Sequence, residues 1–237
     1  MTTDMRRLLA QELLTTWEQG LTQQPLQRTL TLLTMACPEV ENLATLSIGQ
    51  RDRLLFNLRE LTFGSQVQSV ATCPQCGEKL ELNFQIGEIT AASITPTTDT
   101  LRLQVVEGEL EVRLPNSLDL MAIANSPHQS SIALLERCLL NPATVQLSSD
   151  TVQAIAQAMA GADPLADIQL DLVCPACTHQ WRSHFDIVSF FWSEIHAWAI
   201  RTLREVHLLA SAYGWREADI LTMSDYRRQL YLEMVRR

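Results

Sequence analysis

The chain has 237 residues, 46% of them hydrophobic, and a formal net charge of −9; it can bury a sizeable core and is neither disordered nor fibrous in composition. No apolar run reaches the roughly 18–20 residues of a membrane-spanning helix, since the longest candidate, residues 187–199, is interrupted by Ser193, Glu194 and His196. The opening Met1-Thr2-Thr3-Asp4-Met5-Arg6-Arg7 lacks the apolar stretch of a secretion signal, so a soluble, cytoplasmic protein with reduced cysteines is expected.

Residues 1–66 read as helical. Met5, Leu8, Leu9, Leu13, Leu14 and Trp17 form an apolar stripe that ends near Gly20, and Leu26, Leu30, Leu33 and Met35 form a second that ends before Pro38. A third helix is predicted to start at Ser47, a side chain able to cap the turn before Gln50. It carries Leu54, Leu55, Leu58 and Leu61 to a stop at Gly64.

The pattern then changes period. Residues 67–72 and 79–86 alternate like β-strands around Cys73-Pro74-Gln75-Cys76, with Leu80, Leu82, Phe84 and Ile86 on one face of the return strand. A polar linker over residues 95–100 leads to a hairpin, residues 101–106 and 109–114, around Glu107-Gly108. Helices are predicted over 118–124 and 132–140, separated by Ser126-Pro127-His128. A third is predicted over 149–159, capped by Ser148 or Ser149 and ended by Gly161.

The strand–knuckle–strand unit then recurs. Residues 168–173 lead into Cys174-Pro175-Ala176-Cys177, and residues 180–187 lead out. From 187 to 213 the period returns to helical, with Phe191, Ile195, Trp198, Leu203, Val206, Leu209 and Tyr213 on the stripe and an Arg201–Glu205 pair four residues apart. Gly214 stops this helix, and two short ones follow, over 216–221 and from Ser224.

Two Cys-x-x-Cys pairs supply the four thiolates of a closed tetrahedral zinc site, with no position left for water. Here 97 residues lie between Cys76 and Cys174, where a compact ribbon has roughly 15–20. Closing the longer loop costs about 1.5 kcal/mol more, small beside the roughly 10–16 kcal/mol of structural zinc in peptides. One Zn2+ per chain on Cys73, Cys76, Cys174 and Cys177 is therefore expected. An iron–sulfur cluster also uses four thiolates. A redox pair would place its knuckle at a helix N-terminus, whereas both knuckles here enter strand-like sequence. Cys37 and Cys138 lie in helical apolar patterns and read as core.

The fold class expected is α+β: a split zinc ribbon of two strand–Cys-x-x-Cys–strand hairpins, residues 67–186, with a hairpin-plus-helices lobe inserted at about 95–165. Helical segments over 1–66 and 187–237 flank it. Residues 67–186 hold 5 basic and 14 acidic groups, the opposite of what phosphate contacts need, so a nucleic-acid partner is disfavoured. No catalytic motif is visible: there is no His-Glu-x-x-His, Gly-x-Ser-x-Gly or phosphate-cradling glycine loop. His196 and His207 read as packing residues on the long helix. His179 and His184 follow the second knuckle, where either could replace a thiolate if one were missing.

The stretch Arg204-Glu205-Val206-His207-Leu208-Leu209-Ala210-Ser211-Ala212-Tyr213-Gly214-Trp215-Arg216-Glu217-Ala218-Asp219-Ile220-Leu221, followed by Met223-Ser224-Asp225-Tyr226-Arg227-Arg228-Gln229-Leu230-Tyr231-Leu232, resembles the C-terminal signature of T-even-phage-like baseplate proteins. This is the hub-assembly family of phage tail and contractile injection system loci. Leu134-Leu135-Glu136-Arg137-Cys138 and the paired knuckles are similar to members of that group, and the resemblance covers residues 67–237. It implies a non-enzymatic baseplate component or assembly factor whose partners are other baseplate or hub proteins, with no small-molecule substrate and no membrane insertion. Phe190, Trp192, Trp198, Tyr213, Trp215, Arg227 and Arg228 are then candidates for partner contact. The alternative reading is a free-standing zinc-ribbon adaptor or regulator acting on nucleic acid or transcription machinery.

Overall fold

The computed structural model describes residues 5–91, 99–105, 108–124, 131–141 and 147–235. Its helices and strands run in chain order α1 (Ala10–Gly20), α2 (Pro25–Ala36), α3 (Ile48–Phe63), β1 (Gln66–Thr72), β2 (Lys79–Gln85), α4 (Ile86–Ala91), β3 (Thr100–Val105), β4 (Gly108–Arg113), α5 (Ser117–Ala124), α6 (Ser131–Cys138), α7 (Ser149–Ala162), β5 (Gln169–Val173), β6 (Gln180–His184), α8 (Ile187–Tyr213), α9 (Glu217–Leu221) and α10 (Asp225–Val235). The class is α+β, with small antiparallel sheets of two strands each: β1 with β2, β3 with β4, and β5 with β6. No described helix is long and apolar enough to cross a membrane.

Contacts group the chain into two compact units, Met1–Pro38 with Val188–Arg237, and Glu39–Ile187. This cuts across a division into three consecutive segments: α3 belongs with the cysteine-bearing unit, and α1 and α2 belong with α8, α9 and α10. The linker at 95–98, Glu107 of the inserted turn and the 126–128 break lie outside the described residues.

In the first unit the apolar stripes of α1, α2 and α8 bury Leu13, Leu14, Trp17, Leu32, Leu33, Phe191, Ile195, Val206 and Leu209. The expected stripes shift slightly. Leu9 precedes α1 and is 69% exposed, because the Glu12 carboxylate accepts its amide at 2.9 Å and starts the helix one residue later. On α8 the buried face passes through Ala199 and Thr202, leaving Trp198 half-buried. Gly20 is so close to the Trp192 indole that a Cβ there would overlap it, and the Arg28 guanidinium lies 4.6 Å from the Trp192 ring centroid. Trp192 is thus packed within this unit.

In the second unit, Ser47 and Gln50 form a reciprocal cap at the start of α3: the Gln50 amide donates to Ser47 Oγ at 3.2 Å, and the Ser47 amide to Gln50 Oε1 at 3.0 Å. The first hairpin pairs Gln66 with Gln85 through Thr72 with Lys79, and the second pairs Gln169 with His184 through Val173 with Gln180. At their bases, Phe84 meets Phe185 edge-on at 5.3 Å and Phe185 stacks on Phe56 of α3 at 6.2 Å. The inserted lobe has its own core of Leu110, Val112, Leu114, Leu135, Cys138, Ile155 and Met159.

Two expected boundaries move. Ile86 does not extend β2 but opens α4, whose Glu88 carboxylate accepts the Gln85 amide at 2.9 Å. Gly161 does not end α7; the helix runs to Ala162. Asp163 precedes Pro164, which disfavours helical backbone at Asp163, and its φ of −133° and ψ of 69° leave the helix there.

Candidate metal centre

Each hairpin carries its cysteine knuckle at the tip, and the two tips fold alike. The Cys73 amide donates to Glu78 O at 2.8 Å and the Gly77 amide to Cys73 O at 3.0 Å. In the second tip, the Cys174 amide donates to His179 O and the Thr178 amide to Cys174 O, both at 2.9 Å. The turn requires a left-handed residue, supplied by Gly77 (φ 78°) in one tip and Thr178 (φ 58°) in the other.

This backbone aims all four sulfurs at one point. The Sγ atoms of Cys73, Cys76, Cys174 and Cys177 lie within 4.8 Å of one another and could hold a metal ion. Two contacts cross between knuckles, Cys76 to Cys174 at 3.5 Å and Cys73 to Cys177 at 3.7 Å. Cys73 and Cys174 are 1% and 0% exposed, whereas Cys76 is exposed and Cys177 intermediate.

The electrostatics suit a cation. At Cys73 burial opposes the thiolate, but bonds from the Cys76 and Gln75 backbone outweigh it and bring the group down to about 7. At Cys76 the backbone bond involving Glu78 favours the thiolate, yet the neighbouring Cys177, Cys174 and Cys73 sulfurs, with burial, push it up to about 12. Cys177 is likewise raised: its backbone bond involving His179 is outweighed by burial and by Cys174 and Cys73. A bound dication would hold the sulfurs as thiolates and release the protons they carry.

Neither histidine that follows the second knuckle joins the cluster. His179 stacks on Trp181 at 5.9 Å, and His184 Nε2 faces Asp167 at 3.4 Å. His196 Nδ1 accepts from Trp17 Nε1 at 3.1 Å, a packing role. Both knuckles run into strands, β2 and β6, and not into helices. Cys37 and Cys138 are buried away from the cluster, and burial raises both thiols, Cys138 to about 11.

The residues expected at partner contacts separate. Tyr213 is 38% exposed and stacks on Trp215 at 4.4 Å, with Tyr231 edge-on to Trp215 at 4.8 Å; Arg227 is exposed. Arg228, by contrast, is 3% exposed. Its Nη2 donates to Asp225 Oδ1 at 2.6 Å and its Nε to Glu205 Oε2 at 3.2 Å. It therefore closes an internal ion pair. Glu205 takes Arg228 and Gln229, where the sequence suggests Arg201.

A buried polar junction at the start of α3 has no signature in the sequence. Arg51 and Asp52 are buried; Arg51 Nε donates to Asp52 Oδ1 at 2.7 Å, Arg51 Nη1 to Ser117 Oγ at 3.3 Å, and the Gly49 amide to Asp163 Oδ2 at 2.8 Å. Burial raises Asp52 to about 6, against the pull of Arg51 and with a smaller push from the Asp186 and Asp163 charges.

A family model described as T4 bacteriophage base plate protein matches residues 4–141. The match takes in α1 to α3, which the C-terminal resemblance omits, includes the first knuckle, and ends before the second knuckle and the 204–232 signature. No curated protein and no solved structure matches the chain.

Proposed function

The chain belongs to the T4 bacteriophage base plate protein family, and from that membership we propose that it is a non-enzymatic structural component or assembly factor of the baseplate of a phage-tail-like contractile injection system. The family match over residues 4–141 carries this reading. Its partners are other baseplate or hub proteins, and it is made in the cytoplasm and acts on or within the assembling particle.

In this reading the four cysteines hold one structural zinc. Zinc–sulfur bonds of about 2.3 Å put the corners of a tetrahedral shell about 3.8 Å apart, and the cross-knuckle sulfur contacts of 3.5 and 3.7 Å agree with that spacing. When bound, the ion adds stability and no open coordination position for chemistry. The two hairpins then form a split ribbon around the inserted lobe, and Trp198, Tyr213, Trp215 and Arg227 are partner-contact candidates that keep some exposure.

Purified particles and their assembly intermediates test the proposal. The chain should co-purify with baseplate subunits in at least one of them. Recovery in none, with the soluble chain binding no baseplate subunit, would overturn it.

A further inference from the structure

The cysteine cluster pairs its sulfurs unevenly. Each knuckle offers one buried cysteine, Cys73 or Cys174, and one less buried, the exposed Cys76 or the intermediate Cys177. Contacts of 3.5 and 3.7 Å join the less buried cysteine of one knuckle to the buried cysteine of the other, Cys76 to Cys174 and Cys177 to Cys73. A reagent arriving from solvent meets one partner of a pair, and the second partner waits behind it on the opposite hairpin.

We propose that the cluster is also a modification site at which hydrogen peroxide replaces the metal by two disulfides crossing between the knuckles, Cys76–Cys174 and Cys73–Cys177. The proposal rests on the metal reading above, and it gives the fastening of the two hairpins two chemical forms. In the first step the Cys76 sulfur, a thiolate when it holds a metal, attacks peroxide; the O–O bond breaks, and a sulfenic acid and hydroxide form, the hydroxide taking a proton to become water. The Cys174 thiolate then attacks the Cys76 sulfur and expels hydroxide, which takes a proton to become a second water. Two thiols lose two electrons in all, and one peroxide is reduced to two waters. A second peroxide does the same for Cys177 and Cys73. Zinc has no redox chemistry of its own and leaves as its ligands are consumed.

Closing a disulfide from 3.5 or 3.7 Å to about 2.05 Å asks for movements of roughly 1.5 Å, within reach of side-chain rotation at a hairpin tip. The crossing bonds enclose the same long insertion as the metal does, so the loop stays constrained. Bonds within a knuckle would leave the hairpin tips untied. Cys37 and Cys138 are buried outside the cluster and serve as internal controls.

The test treats the purified full chain with hydrogen peroxide, follows metal release with a chromogenic chelator, blocks remaining thiols, and maps tryptic peptides without reduction. Residues 60–79, which carry Cys73 and Cys76, should become joined to residues 138–182, which carry Cys138, Cys174 and Cys177, and fragmentation of the joined peptides between the cysteines of each knuckle should place the bonds at Cys76–Cys174 and Cys73–Cys177. About two peroxides should be consumed per chain, with Cys37 and Cys138 recovered as thiols. The Cys76→Ser variant should still form the Cys73–Cys177 link and consume half as much peroxide, whether or not it holds metal. Bonds confined to each knuckle, or sulfonic acids without cross-links, would overturn the proposal. Absence of metal before treatment would overturn the metal reading alone, and fragmentation of the joined peptides would still decide the sulfur pairing, Cys73–Cys174 with Cys76–Cys177 being the pairing that overturns the proposal.

Discussion

Thr178 occupies in the second knuckle the position that Gly77 occupies in the first, and both are left-handed, with φ of 58° and 78°. Glycine adopts this backbone freely, whereas a β-branched residue is crowded by its own Cβ. The Thr178 hydroxyl bonds the Cys177 carbonyl at 2.7 Å, which offsets part of the strain. Thr178→Gly should therefore stabilise the protein by up to about 1 kcal/mol, and Gly77→Thr should destabilise it by about 1–2 kcal/mol. Chemical denaturation of both variants reads this, and a destabilised Thr178→Gly would refute the strain argument.

Metal analysis of the pure chain should find about one zinc. Cys73→Ser should abolish tight binding and lower the melting temperature, because it removes one of the four converging sulfurs. A chelator should lower the melting temperature of the native chain and leave that of Cys73→Ser unchanged. Two metals per chain, or none, would contradict a shared site.

The pH dependence has a defined sign at Asp52. Its folded-state value is raised from 3.8 to about 6 by burial, so the folded chain binds the proton more tightly than the unfolded one. That contribution is fully present below about pH 4 and is lost as pH rises through about 6, a change on the order of 2–3 kcal/mol. Asp119 acts oppositely at lower pH: burial disfavours its charge, but Arg113, the Asn116 backbone and Arg137 hold it below the usual value. Asp52→Asn should flatten the stability profile between pH 4 and 6. An unchanged slope would assign the titration elsewhere.

Gly49 leaves no room for a methyl group, because a Cβ would overlap the Asp163 carboxylate that accepts its amide. Gly49→Ala should cost about 2–3 kcal/mol by displacing that carboxylate, although alanine is the better helix former. Thermal denaturation showing a neutral or stabilising effect would mean that the junction can relax.

Adjacent arginines on α10 should behave differently. Arg228→Ala leaves Glu205 buried without its ion-pair partner and should cost about 3–5 kcal/mol. Arg227→Ala is expected to change stability by less than about 0.5 kcal/mol and to weaken binding to a baseplate subunit. Equal stability losses, read by denaturation, would mean that Arg227 also serves the fold.

Much of the fold is written in local pattern. The Ser47 cap, the strands on either side of each knuckle and the Gly214 stop (φ 67°) occur where the residues suggest, because caps, alternation and left-handed turns depend on neighbours a few residues away. Short-range signals compete at α4 and at the end of α7: Ile86 continues an alternating run but Glu88 starts a helix, and Gly161 can end a helix but Asp163-Pro164 does.

The repeated knuckle, the helix periods and the four sulfur atoms available to a metal are legible in the residues alone. Tertiary structure decided which of those sulfurs face across the hairpins, that Arg228 turns inward to Glu205, and that Arg51 and Asp52 lie buried at the start of α3. The physical reason is range. Backbone propensity acts over a turn of helix or a pair of strands, whereas a buried charge or thiol is stable only beside partners brought from far along the chain. Cys73 and Cys177, 104 positions apart in sequence and 3.7 Å apart at their sulfurs, show that range at its longest within the site.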